Sequence, residues 1–200
     1  EMWTPLIGEH NAYNLLAIYC AALALGADRE ETLIGLSALR SAKGRLETLK
    51  GPDDKTVIID YAHTPDALEH VLMALREVEP GRELVCVFGC GGERDRSKRP
   101  EMAAIAEKLA DRIIVTADNS RSEKTEDIMA EICTGFSPAG RAKAICIADR
   151  KEAIRAALSF SSEGALILLA GKGHENYQIT EKGKEPFDER EICCTIFSKN

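Results

Sequence analysis

Residues 84–100 decide the fold, and they read Leu84-Val85-Cys86-Val87-Phe88-Gly89-Cys90-Gly91-Gly92-Glu93-Arg94-Asp95-Arg96-Ser97-Lys98-Arg99-Pro100. Five apolar residues predict a buried strand, and 101–109 predicts a helix. Three glycines between them allow a sharp turn and a close backbone approach to a ligand. Four cations and two acids follow within seven residues, which exceeds what a strand-to-helix connection needs. An anionic ligand and a solvated crossover loop explain these residues equally well.

The composition is that of one globular domain, or of one domain with a small additional piece. The chain has 200 residues, 44% of them hydrophobic and 30% charged, which is ordinary for globular proteins. A net charge of -7 argues against nucleic acid as the main partner. The longest apolar run, 15–27, is too short to span a bilayer. We expect a cytoplasmic monomer that acts on small molecules.

The cysteines and histidines give no metal motif. The seven cysteines include no C-x-x-C pair and lie mostly in apolar runs, which is typical of reduced, cytosolic proteins. The four histidines have no i, i+4 pair, so no zinc site is predicted.

Short apolar segments alternate with helical segments along most of the chain. This alternation predicts an α/β fold, a Rossmann-like and mostly parallel sheet with helices on both faces. Two helices without a strand, 11–26 and about 30–40, precede it, and 50–55 is predicted as a turn. The predicted strands are 56–59, 84–88, 112–116, 144–147 and 165–170, with a hairpin over 177–180 and 184–187; the predicted helices are 65–77, 101–109, 125–133, 150–160 and 189–198.

Polar clusters follow four of the five parallel strands. Because ligands bind beyond the carboxyl ends of such strands, these clusters together favour a binding site over a solvated rim. Arg94 and Arg121 can each grip a carboxylate with two hydrogen bonds, whereas Arg96 and Arg99 are interpreted as surface cations. Glu175 can hold an ammonium group. The set suits an amino acid, including one with two carboxylates.

Other residues in these loops have two readings. Asp60 is either an acceptor for ribose hydroxyls or a turn aspartate, and His63 is either a site residue or part of a helix start. The chain has neither a G-x-x-x-x-G-K-[ST] motif nor a G-x-G-x-x-G motif, so neither a triphosphate cradle nor a dinucleotide fold is predicted.

Several motifs resemble those of the Mur ligases, and more narrowly of the members that add diaminopimelate. The motifs are Asp60-Tyr61-Ala62-His63-Thr64-Pro65-Asp66-Ala67, Phe88-Gly89-Cys90-Gly91-Gly92-Glu93-Arg94-Asp95 with Lys98-Arg99-Pro100, Ala170-Gly171-Lys172-Gly173-His174-Glu175, Gly8-Glu9-His10-Asn11-Ala12-Tyr13-Asn14 and Gly44-Arg45-Leu46-Glu47.

The resemblance implies two domains within this chain. Residues 1–47 would be the C-terminal end of a central ATPase domain, and 48–200 would be the C-terminal domain that binds the amino acid. ATP and Mg²⁺ would be the cofactors, bound mainly by an upstream P-loop and metal ligands absent here, and the chain would be inactive alone. The substrates would be ATP, a UDP-N-acetylmuramoyl dipeptide and meso-diaminopimelate.

The resemblance also implies roles for individual residues. The nucleotide contacts would be His10, Asn14, Arg45 and Asp60; the diaminopimelate contacts would be Arg94, Asp118, Asn119, Ser120, Arg121, Gly171 and Glu175. The base for the attacking amine is not identified, and His63, Lys172 and His174 are candidates by position only.

One position departs from the family. The recognition motif Asp-Asn-Pro-Arg is here Asp118-Asn119-Ser120-Arg121, so the fixed φ angle of proline is lost. The contacting side chains are kept, and an unpaired Arg121 would penalise lysine, which lacks the distal carboxylate. We therefore predict diaminopimelate as the acceptor. The alternatives are a lysine-adding relative, another Mur-type ligase such as a folylpolyglutamate synthetase, and a non-catalytic amino-acid-binding module.

Overall fold

The structure, a computed structural model, describes residues 3, 4, 6 and 8–198, without the side chains of Glu9 and His10. The chain divides into two compact units, 1–42 and 43–200. The sequence interpretation placed the division after residue 47, and its assignment of the two parts to ligase domains stays a prediction. No helix within the described ranges is long and apolar enough to cross a membrane.

The first unit contains two helices, α1 (Glu9–Ala24) and α2 (Arg29–Ser37). Asp28 caps α2, because its Oδ1 accepts the N–H groups of Glu30 and Glu31 at 2.8 and 2.9 Å. Among the described residues of this unit, Leu15 and Leu36 are the buried ones.

The second unit is built on a six-stranded sheet with a separate hairpin. The strands are β1 (Glu47–Lys50), β2 (Thr56–Asp60), β3 (Leu84–Phe88), β4 (Arg112–Val115), β5 (Ala144–Cys146) and β6 (Leu166–Ala170), with β7 (Tyr177–Thr180) and β8 (Gly183–Pro186) in the hairpin. The helices are α3 (Pro65–Val78), α4 (Lys98–Leu109), α5 (Thr125–Cys133), α6 (Pro138–Lys143), α7 (Arg150–Phe160) and α8 (Glu189–Phe197).

The sheet has the order β1-β2-β6-β3-β4-β5. The pairs from β2 to β5 are parallel, and β1 joins β2 in antiparallel register. The predicted α/β fold with a mostly parallel sheet is therefore confirmed. As a result, the chain leaves β2, β3, β4, β5 and β6 at one edge of the sheet.

Alternate strand residues face opposite sides of the sheet. Val57, Val85 and Ile167, all fully or almost fully buried, pack with Ile154 of α7 and Cys193 of α8 on one face. Helix α3 contacts β6, and α4 packs between α3 and α5; these helices form the layer on the other face. Both faces are thus covered, which explains why the strands are continuous apolar runs.

Two local predictions are wrong, and one helix was not predicted. Lys50 lies in β1 and not in a turn, because the short segment 47–50 pairs with β2 and the turn begins at Gly51. Helix α4 begins at Lys98 and not at 101, since Pro100 is tolerated in a first helical turn. The sequence interpretation also missed α6, which Ser137 caps with Pro138 at the first helical position.

A buried ion pair connects the loops at the carboxyl edge. The Arg150 and Glu189 side chains are 0% and 1% exposed, and Arg150 Nε lies 2.8 Å from Glu189 Oε1. The two other nitrogens of Arg150 donate to the carbonyl oxygens of Ala117 at 3.1 Å and Ala170 at 2.8 Å. One guanidinium therefore binds the backbone just after β4 and at the last residue of β6.

Replacing this arginine should strongly destabilise the fold. Arg150→Met leaves Glu189 buried without its counter-charge, which typically costs about 3 to 5 kcal/mol. Urea unfolding followed by circular dichroism measures the loss. The matched control is Arg155→Met on the same helix, where the pair with Glu152 is about half exposed and should contribute under about 1 kcal/mol. Equal losses in the two variants would contradict this account.

Candidate functional site

Backbone hydrogen bonds hold the loops of the carboxyl edge against one another. The N–H of Gly171 donates to Asp60 O at 3.0 Å, and that of Gly92 donates to Asn119 O at 2.9 Å. A Cβ at Gly92 would lie 2.0 Å from Ser120 O, so glycine is required there for the two loops to meet. The predicted convergence of these loops is therefore present.

Four polar side chains form what we call the ionic cluster: Asp118, Asn119 and Lys172, which are buried, and Glu175, which is partly buried. The Lys172 side chain is 0% exposed, and its Nζ lies 3.0 Å from Asn119 Oδ1 and 3.4 Å from both Asp118 Oδ1 and Glu175 Oε2. Asn119 Nδ2 donates to the same Glu175 oxygen at 2.9 Å. Lys172 is thus an internal cation that holds two carboxylates together.

Arg121 lies beside the ionic cluster in a strained conformation. Its φ of 54° is in the left-handed region, which is uncommon for a residue with a side chain. Its N–H donates to Ile179 O at 3.1 Å, and its Nη1 donates to Gly92 O at 2.7 Å and Asn119 O at 3.2 Å. Within the described residues, Nε and Nη2 have no hydrogen-bond partner. Their N–H groups lie side by side, so one carboxylate can accept a hydrogen bond from each of them.

Arg94 and Arg121 flank the same glycine. A Cβ at Gly91 would lie 3.0 Å from Arg121 Nη1 and 3.6 Å from Arg94 Cγ. Arg94 is exposed and makes no ion pair within the described part of the chain. Two cationic groups and the two carboxylates of the ionic cluster therefore lie in the loops at the same edge of the sheet, a combination that suits a zwitterionic ligand.

Ser120 is only 5% exposed, yet its N–H donates to no other group in the described ranges. The serine therefore adds no backbone hydrogen bond that a proline at this position would lack. The Asp118–Arg121 segment keeps its shape through Arg121 and Gly92 instead.

The second group, which we call the aromatic cluster, contains Arg45, Tyr61, His63 and His174. The Tyr61 ring contacts the His63 ring edge-on at 4.7 Å and lies tilted against the His174 ring at 5.1 Å, and the Arg45 guanidinium carbon is 5.2 Å from the Tyr61 ring centre. Burial, followed by the charge of Glu175, raises the pKa of Tyr61. The sequence interpretation gave Tyr61 no role, although it stands between Asp60 and His63 in the quoted motif.

Two glycines allow the segments that carry the aromatic cluster to pack closely. A Cβ at Gly44 would lie 2.0 Å from the backbone N of His174, and one at Gly173 would lie 2.7 Å from the Tyr61 Cβ. The segment before β1 and the loop after β6 can therefore touch only because both positions lack side chains.

The carboxylate of Asp60 is 6% exposed and holds the backbone. Its Oδ2 accepts the N–H of Leu46 at 2.7 Å, and its Oδ1 accepts that of Ala62 at 2.8 Å. These bonds favour the turn-aspartate reading and fix Arg45 next to the aromatic cluster. His63 Nδ1 lies 2.8 Å from Tyr61 O, which leaves its other nitrogen at the surface.

Two predicted nucleotide contacts lie in the first unit. Asn14 is exposed on α1, and the side chain of His10 lies outside the described part of the chain.

The interpretation of Arg99 as a surface cation is wrong, whereas Arg96 is exposed as expected. The Arg99 side chain is 0% exposed, and its Nη1 lies 3.0 Å from Glu123 and 2.7 Å from Glu131. Hydrogen bonds from Arg99 and from the N–H of Glu93 lower the pKa of Glu123 to about 2. This buried arginine ties α4 to the end of the Asp118–Arg121 loop, and no feature of the sequence distinguishes it from Arg96.

The described residues give no metal centre. No group of three or more His, Cys, Asp or Glu side chains among them is placed to hold a metal ion.

Comparison with known proteins identifies the family. The family model for the Mur ligase, glutamate ligase domain, matches residues 44–173. The chain belongs to the Mur ligase family. This confirms the resemblance and places both clusters inside, or at the border of, the matched domain.

Individual relatives narrow the comparison. The chain is 48% identical over 199 residues to the UDP-N-acetylmuramoyl-L-alanyl-D-glutamate–2,6-diaminopimelate ligase of Parabacteroides distasonis, covering 99% of this chain and 41% of that ligase. It is similar to a solved structure of a ligase of the same name, with a TM-score of 0.77, 36% identity, and coverage of 99% of this chain and 40% of that one. Mycobacterium tuberculosis folylpolyglutamate synthase complexed with ADP gives a TM-score of 0.67 at 26% identity, covering 85% of this chain and 39% of that one. The chain thus spans about two fifths of the length of these relatives.

The Arg99–Glu123 contact predicts a specific loss of stability in acid. Since the pKa of Glu123 is lowered to about 2 in the folded state, its contribution is complete above the unfolded value of about 4.3 and is lost as the pH falls toward 2. Glu123→Gln should lower stability at pH 7 and weaken its pH dependence between about 4.5 and 2. Urea unfolding at several pH values measures this. Glu126→Gln, at an exposed position of α5, is the control; identical pH profiles in the two variants would contradict the assignment.

Proposed function

We propose that this chain is the C-terminal portion of an ATP-dependent ligase that adds meso-diaminopimelate to UDP-N-acetylmuramoyl-L-alanyl-D-glutamate in peptidoglycan synthesis. Its part in the reaction is to bind the acceptor and to contribute contacts to the nucleotide. One observation supports this proposal most strongly. Arg121 has two donors that are unused among the described residues, and it lies beside the largely buried ionic cluster.

The charges of this pair fit one end of diaminopimelate. That end is an amino-acid group with one carboxylate and one ammonium. The carboxylate can bind Nε and Nη2 of Arg121, with Arg94 close by. The ammonium can bind Oε1 of Glu175, because Lys172 and Asn119 occupy only Oε2. Asp118 shares the Lys172 ammonium with Glu175, and Gly171 lies next to Asp118, since a Cβ at Gly171 would be 3.5 Å from Asp118 Oδ2.

The same geometry discriminates against lysine. Lysine has the distal ammonium but no distal carboxylate, so Arg121 would lose hydration without gaining a partner. A site built to bind a charged group rejects an analogue without that group far more strongly than an apolar pocket rejects a smaller one. Conversion to a lysine-adding ligase would need a change at Arg121.

The aromatic cluster is the part of the chain that suits a nucleotide. Arg45, Tyr61 and His174 present a cation and ring faces at the same edge of the sheet. ATP and Mg²⁺ are proposed to be held mainly by other domains of the full-length enzyme. Asp60 supports this cluster through the backbone, and Asn14 and His10 are proposed contacts from the first unit.

The proposed reaction has two steps. ATP transfers its γ-phosphoryl group to the D-glutamate carboxylate, giving an acyl phosphate and ADP. The acceptor amine then attacks the acyl carbon, loses a proton, and expels phosphate. Lys172 is proposed to position the acceptor site rather than act as the base, because its ammonium is buried among three oxygen atoms. His63 and His174, both exposed, remain the candidates for the base.

We also propose that the full-length protein is a cytoplasmic enzyme that acts as a monomer on small molecules. A non-catalytic amino-acid-binding module is the second candidate function, favoured only by the position of the ionic cluster in one domain. A full-length gene product that binds the acceptor without consuming ATP would support that module.

The first experiment is calorimetric titration of this chain with meso-diaminopimelate and then with L-lysine. Binding of the first alone is expected, since only it pairs with Arg121. Preference for lysine would overturn the acceptor assignment. If neither binds, the same comparison of acceptor KM values in the full-length enzyme decides.

Arg121→Ala in the full-length enzyme should raise the KM for diaminopimelate by at least about tenfold, because a charge-assisted bidentate contact contributes about 1.5 to 3 kcal/mol. The KM for ATP should not change. Ser120→Pro is the matched control and should leave both values unaltered, as the Ser120 N–H is not used. An unchanged acceptor KM in Arg121→Ala would refute the proposal.

Lys172→Met tests the positioning role. Without the internal cation, Asp118 and Glu175 repel each other, so acceptor KM should rise while ATP KM stays constant. The exposed Lys182, in the nearby hairpin, gives the control Lys182→Met. Loss of kcat alone, with normal acceptor KM and an altered pH profile, would instead indicate that Lys172 takes part in proton transfer.

A further inference from the structure

Two cysteines outside both clusters lie in contact with each other. Cys133 is the last residue of α5 and Cys146 the last residue of β5, and their Sγ atoms are 3.4 Å apart. Both are free thiols; Cys146 is exposed and Cys133 is partly buried. The sequence interpretation treated the cysteines as small core hydrophobes, which fits Cys86 but not this pair.

The pair is placed to form a covalent bond. A disulfide has an S–S distance of about 2.05 Å, so the sulfur atoms at 3.4 Å need to approach by only about 1.4 Å. Among the described strands, β5 is at the edge of the sheet and pairs with β4 alone, and α5 ends at Cys133. Neither sulfur is held in the core, so small backbone shifts can close this gap.

We propose that Cys133 and Cys146 are a reversible oxidation site, which a low-molecular-weight disulfide such as oxidised glutathione converts to an intramolecular disulfide. The thiolate of Cys146 attacks one sulfur of the oxidant, forms a mixed disulfide and releases one thiolate. The thiolate of Cys133 then attacks Cys146 Sγ and releases the second. Two protein thiols are oxidised, and one small disulfide is reduced to two thiols.

The surroundings of the thiols set the order of these steps. Burial and the neighbouring Cys146 sulfur raise the pKa of the Cys133 thiol, which lowers its thiolate fraction at neutral pH. Cys146 is the exposed partner and meets the oxidant first. Cys133 is then the resolving thiol, already in contact with the sulfur that it must attack.

The bond would join helix α5, which follows the Asp118–Arg121 segment, to strand β5, which pairs with β4 just before that segment. Helix α5 begins at Thr125, shortly after that segment. Strand β5 leads to Ala148, whose carbonyl accepts the N–H of Ala117 at 3.3 Å. Oxidation would therefore restrain both sides of the loop, whatever ligand the chain binds.

The test is oxidation of the reduced chain with glutathione disulfide, followed by intact mass and peptide mapping under non-reducing conditions. The expected product has lost two hydrogen atoms, contains one peptide linked through Cys133 and Cys146, and has a melting temperature several degrees higher. Dithiothreitol should reverse all three changes.

Variants separate this site from the other thiols. Cys133→Ser should stop at a mixed disulfide on Cys146, visible as the added mass of one glutathionyl group, and Cys146→Ser should give no internal bond. Cys20→Ser and Cys194→Ser remove other exposed thiols and should oxidise like the parent chain. A stable glutathione adduct on Cys146 with Cys133 present, a bond to Cys194, or only dimers between chains would overturn the proposal.

Discussion

The Arg150–Glu189 ion pair is the constraint on which the carboxyl edge of the sheet depends. Arg150 binds the carbonyls of Ala117 and Ala170, and each of these residues directly precedes a segment that contributes to the ionic cluster. One guanidinium therefore positions Asp118 and Lys172 relative to each other. The charge of this guanidinium is balanced by Glu189 at the start of α8. The geometry of the candidate site therefore depends on this buried ion pair.

The parts of the fold that are repeated and apolar could be predicted from sequence. Buried parallel strands are continuous apolar runs, and 84–88 was predicted with its observed ends. Residues that act through distant partners could not be predicted in the same way. Arg96 and Arg99 look alike in sequence, yet the first is exposed and the second is buried against Glu123 and Glu131. Arg121 was predicted as a carboxylate contact, but which of its donors stay unused among the described residues could not be predicted. These differences arise from packing between loops that are far apart in sequence, so the residues around each arginine do not indicate them.

The candidate site residues from 118 to 175 were found in sequence because they follow strand ends. The individual role of each residue could not be predicted from the sequence. Asp60 holds the backbone of Leu46 and Ala62, Lys172 is an internal cation, and Tyr61 is the centre of the aromatic cluster. Each of these roles depends on a contact between segments far apart in the chain.

Lys172 has a consequence for how the ionic cluster keeps its shape. Two carboxylates that lie close together repel each other. The Lys172 ammonium lies between Asp118 and Glu175 and offsets that repulsion. The side chains of the cluster are therefore ordered by contacts within the protein itself. Side chains that are already ordered lose less conformational freedom when a molecule binds to them.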